Sequence, residues 1–166
     1  MADVSVDQLP PARDLTALTD PNLIQILKYW ETKRAGRPMP GRADIEASEL
    51  RGLVSRVMLY DVVEPGRLYL IRLVGESIVN FVGVNNTGKS ATDGMPPDAA
   101  RQMLDILNSL VANRSPRFRA GHSHWHRDKS YRKFEACFLP LSSDGQNVDK
   151  ILAGITFDVL DAAVPR

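Results

Sequence analysis

Hydrophobic positions along the chain change their period twice. Between Pro21 and Ala35, residues Leu23, Ile26, Leu27 and Trp30 recur at three- and four-residue spacing, the stripe of an amphipathic helix. Thr19 or Asp20 is placed to cap this helix, Pro21 to begin it and Gly36 to end it. Arg37-Pro38-Met39-Pro40-Gly41 reads as a stiff connector, and Asp44 to about Val54 as a short helical segment. At Val57 the period falls to two. Val57–Val63 is predicted as a strand, Glu64-Pro65-Gly66-Arg67 as a turn and Leu68–Val74 as the hairpin partner. Ile78, Phe81 and Val82 return to helical spacing. Pro97 then opens the strongest helix, with Ala100, Met103, Leu104, Leu107, Leu110 and Val111 on one face. Three strands complete the pattern, at about Arg117–His126, Tyr131–Leu141 and Lys150–Leu160. Met1 to about Thr19 is polar and lacks a sustained period, so it is expected to be a flexible arm.

Two strands, then helices, then three strands predict an antiparallel α+β domain. The expected divisions are an arm over 1–19, a helix with its connector over 20–56, and the main domain over 57–160.

Gly83 to Ser90 match the phosphate-binding pattern G-x-x-x-x-G-K-[ST] letter for letter, which would make the chain a nucleotide hydrolase. That chemistry needs a buried strand before the glycines and a long helix after the lysine. Here the preceding residues have helical spacing, and Gly94, Pro96 and Pro97 would interrupt any helix that followed. The antiparallel order is also wrong for a fold built on parallel crossovers. The stretch is therefore expected to be a turn.

Composition changes this picture little. Of 166 residues, 43 % are hydrophobic and 25 % charged, enough for an ordinary core. The net charge of +1 gives no general attraction to nucleic acid or acidic membranes. One cysteine, Cys137, excludes an intrachain disulfide. No apolar run spans a membrane and no signal-like segment opens the chain, so a soluble cytoplasmic protein is expected.

The order of elements is similar to that of PAS sensory domains, most of all a bacterial subfamily in which the domain stands nearly alone behind an N-terminal helix. The resemblance rests on the Leu27–Trp30 helix end, Gly36-Arg37-Pro38-Met39-Pro40 and Arg42-Ala43-Asp44-Ile45. It continues through Arg72-Leu73-Val74-Gly75, Phe81-Val82-Gly83 with Thr87-Gly88-Lys89, and Phe134-Glu135-Ala136-Cys137-Phe138-Leu139-Pro140-Leu141. Together these cover about residues 22 to 160. What it implies is a five-stranded antiparallel sheet with helices over one face, a ligand or signalling-protein partner, and no catalytic residues. Flavin-binding relatives carry a reactive cysteine in the helical region and haem-binding ones a histidine there. Cys137 and the three histidines lie in strands, so no flavin or haem signature is present and the ligand is unassigned.

His122, His124 and His126 alternate along one strand and share a face. With a turn at Asp128-Lys129, His122 would oppose Glu135, and the other face would carry Ser123, Trp125, Phe134, Ala136 and Phe138. That apolar face belongs inside. Ser123, Trp125, Phe134 and Phe138, with Met103 and Leu107 from the long helix, form the candidate ligand pocket. The outer histidines are too far apart for all three to hold one zinc, so no metal is expected and Glu135 is read as a cross-strand charge partner. Arg114 to Lys133 hold seven Lys or Arg against one acid. The alternatives are a nucleic-acid patch and an edge strand guarded by charge, and the second is preferred. Leu23, Ile26, Leu27 and Trp30 either pair two chains in a homodimer, the assignment made here, or cap the sheet of their own chain.

Overall fold

A computed structural model describes residues 12–122 and 132–157. In chain order the elements are β1 (Arg13–Leu15), α1 (Pro21–Arg34), β2 (Val57–Glu64), β3 (Leu68–Val74), α2 (Glu76–Val82), α3 (Pro97–Asn113), β4 (Arg117–His122), β5 (Lys133–Leu141) and β6 (Lys150–Phe157). All strand pairs are antiparallel and join one sheet in the order β1-β4-β5-β6-β2-β3. Three short 3-10 turns, at Arg42–Asp44, Ala47–Leu50 and Val54–Arg56, replace the single helical segment expected after the connector.

Local chemistry sets the boundaries. Asp20 Oδ1 accepts from the amides of Asn22 (2.9 Å) and Leu23 (3.1 Å), capping α1. The helix ends at Ala35 in the left-handed region (φ 49°), followed by Gly36. In the β2–β3 turn the Arg67 amide donates to the Glu64 carbonyl at 2.9 Å. Gly75 is constrained most tightly: a Cβ there would lie 2.3 Å from the Ser55 carbonyl oxygen.

The helices divide between the two faces of the sheet. On one side, α3 packs against β5 and its Met103 meets Arg119 of β4. On the other, α1 crosses β5 and β6, and a Cβ at Gly154 would stand 3.0 Å from Ile26 Cδ1 and Leu23 Cδ2. The absent side chain lets the helix sit on the strand. Leu23, Ile26 and Trp30 are buried there, and the Trp30 indole donates to the Pro140 carbonyl at 2.8 Å. These three do not form a surface between chains: their own sheet covers them, and only Leu27 remains partly exposed.

Two further expectations are corrected. Arg13–Leu15, placed in the flexible arm, forms a sixth strand against Phe118–Ala120. Consequently β4 is an interior strand, and charge is not there to guard an edge. The β4–β5 register also differs, with His122 opposite Lys133 and Ala120 opposite Glu135. β4 meets β5 from Arg117↔Phe138 to His122↔Lys133, an offset of two residues from the register that a turn at Asp128-Lys129 would give. Being even, the offset preserves the alternation of faces along the strand, although His122 at its end reaches the inner side.

Candidate functional site

A cavity of about 790 Å³ lies between the sheet and the α2–α3 side of the molecule. Its floor is the alternating inward set of several strands: Tyr60 from β2, Arg119 from β4, Phe134, Ala136 and Phe138 from β5, and Ile155 from β6. Ile78 of α2 and Gln102 and Met103 of α3 face them. This is the size range and mostly apolar lining of small-molecule sites. Phe81 of α2 stacks on Phe157 of β6, ring centroids 3.5 Å apart, which ties the short helix to the sheet.

Of the residues expected to form a pocket, Met103, Phe134 and Phe138 line this cavity. Leu107 does not; it is wholly buried. Ser123 and Trp125 lie outside the described residues, as do His124 and His126. His122 lines the cavity, and its Nδ1 is buried without a hydrogen-bond partner among the described residues. No group of three metal-ligating side chains occurs among the described residues.

Of the charged side chains that line this space, Arg119 is the buried one. Arg119 is 8 % exposed. Its guanidinium reaches Met103 Sδ at 4.0 Å and Gln102 Oε1 at 3.4 Å, and Nε has no partner among the described residues. Burial pulls its pKa below the ordinary arginine value, opposed by attraction to Asp14 and Tyr60. The Tyr60 hydroxyl is buried beside it, held among the described residues only by Met58 Sδ at 3.7 Å. Burial pushes this phenol up, while the charge of Arg119 pulls it back. Arg119 was expected among the charges guarding an edge strand. The signal was present: a strand alternates faces, so the parity expected to turn Trp125 inward turns Arg119 inward too.

On the opposite face Glu135 has another role. Its carboxylate accepts from the backbone amides of Thr19 and Asp20, both at 2.8 Å, and from the Thr19 hydroxyl. Burial raises its pKa, but these donors outweigh that and hold it below the usual carboxylate range. It anchors the start of α1 rather than balancing a cross-strand charge. Asp61, also outward, is gripped by Lys150 Nζ at 2.7 Å and by the Arg72 guanidinium, whose Nε stands at 2.7 Å.

The Gly83–Ser90 stretch is not a phosphate loop in shape. α2 precedes it, Gly83 closes that helix with a left-handed conformation, and turns follow Ser90. Its backbone instead pairs with β3: the Gly88 amide donates to the Ile71 carbonyl at 2.7 Å and the Ile71 amide to that of Lys89 at 2.9 Å. The Lys89 side chain is exposed.

The sequence model of the PAS domain matches residues 18–156. This chain belongs to the PAS domain family. Among solved structures, the PAS domain resembles the light state of the blue-light photoreceptor Aureochrome1 LOV, with 10 % identity and a TM-score of 0.51 over 71 % of this chain and 92 % of that one. It also resembles a variant of RsLOV, with 11 % identity and a TM-score of 0.52 over 87 % and 70 %. The PAS domain from Bordetella pertussis BvgS is 21 % identical, with a TM-score of 0.48 over 64 % and 79 %. Likeness at this level concerns the fold alone. No curated protein matches the chain. Cys137, its one cysteine, lies buried on the α1 side of β5, where the Gly154 backbone and α1 surround it. No helix among the described residues is long and apolar enough to cross a membrane.

Proposed function

We propose that this PAS domain is a ligand-binding sensory module that works by conformational shift and not by catalysis, in cytoplasmic signalling. The observation that carries the reading is the cavity of about 790 Å³ between the sheet and the α2–α3 side, mostly apolar but with a few convergent polar groups. PAS domains are generally sensory modules, and that membership supports the role. A ligand favouring one arrangement of α2 and α3 over the sheet would shift the population toward it. The β5 strand offers a route outward: Phe134, Ala136 and Phe138 face the cavity while Glu135 holds the start of α1.

Native mass spectrometry of the full chain, followed by denaturation, tests this reading together with a cavity-filling variant, Ala136→Phe. The expected result is a small-molecule mass that accompanies the wild type, disappears on denaturation and is lost in the variant. Equal retention by both proteins would place the bound molecule elsewhere and remove the support for this site.

A further inference from the structure

Resting on the reading of the cavity as a ligand site, we propose that its ligand is a small organic monocarboxylate with an apolar body, anchored by Arg119. A guanidinium stays charged at any physiological pH and is costly to bury unless an anion or several good acceptors pair with it. Arg119 is buried yet has no ion pair among the described residues. Its contacts, one thioether and one long amide bond, are weak neutral ones, and Nε is unpartnered. Asp14, opposite it on β1, is exposed and acts on it only as a more distant charge.

The rest of the cavity fits the same molecule. The guanidinium fork matches a carboxylate through two parallel hydrogen bonds. Tyr60, buried beside it with only a sulfur for a partner, supplies a third donor. Phe134, Phe138 and Ile155 offer an apolar wall for the body. The acids that line the cavity, Asp93 and Asp98, are exposed, and Asp98 is paired with Arg101 at 2.8 Å. One buried cation suits one negative charge better than the two of a phosphate monoester.

The test titrates the full chain with octanoate, decanoate and 4-phenylbutyrate, each against its neutral primary amide, by calorimetry and by chemical-shift mapping. Wild type is expected to bind at least one acid tenfold or more tightly than its amide, with shifts at Ala136 and Ile155. In Arg119→Gln and Arg119→Met that preference should vanish while amide binding persists. The Met variant, free of an unpaired charge, should melt no lower than wild type without ligand. Equal affinity for acid and amide in wild type, or a preference that survives both variants, would overturn the anchor and leave the cavity reading intact. A Met variant melting far below wild type would mark Arg119 as a structural residue and overturn it also. If neither acids nor amides perturb any cavity residue, the ligand reading falls with it.

Discussion

Two outward-facing side chains on the strands show how burial and pairing compete within one residue. Burial alone would raise the pKa of Asp61, yet Lys150 and Arg72 bring it below the ordinary aspartate value. A depressed carboxyl contributes stability that is complete above its unfolded value of about 3.9 and is lost as pH falls through the lower folded value. Asp61→Asn should therefore cost about 1–3 kcal/mol at neutral pH, and its melting curve should converge on wild type below pH 4. A constant gap from pH 7 to pH 2.5 would mean that the group contributes shape and not charge. At Cys137 burial wins: it pushes the thiol up to about 12, and the backbone hydrogen bond with Gly154 offsets this only in part. It should resist iodoacetamide in the folded protein at pH 8 and react fully in urea, as peptide mass mapping would show.

At the level of elements, the contact between α1 and the sheet depends on Gly154. Its Cα passes under Ile26 and Leu23, with Cys137 Sγ 3.2 Å from where a Cβ would stand. Gly154→Val should lift the helix at a cost of about 1–3 kcal/mol, seen as a lower melting temperature and faster tryptic cleavage between Lys28 and Arg37. Unchanged cleavage would mean that the sheet yields instead of the helix. Periodicity was enough to place α1, the β2–β3 hairpin and α3, because each has a strong stripe or alternation and a clear stop. It could not show β1. Three residues such as Arg13-Asp14-Leu15 carry no period and form a strand only because β4 presents an open edge. It also could not tell which surface the Leu23–Trp30 stripe meets, since a partner chain and a sheet face make the same apolar demand. For Arg119 the alternation was legible, but a run of basic residues reads as solvated until burial is seen.

For the whole molecule, the covered stripe separates folding from assembly. Trp30 is 2 % exposed and hydrogen-bonded within its own chain. Trp30→Ala should lower stability by about 3–5 kcal/mol, while light scattering over a wide concentration range gives the same mass as wild type. A change of mass on that substitution would show that α1 leaves the sheet to join another chain. The same geometry bears on how such a protein could diverge. Because β5 serves as cavity floor on one side and helix seat on the other, a substitution that reshapes the cavity floor also shifts the backbone carrying Glu135 and Cys137. If the cavity binds a ligand as proposed, selectivity and output would not be separately heritable here: each new preference would arrive with an altered seat for α1, and the paths open to drift would be those on which both faces change together.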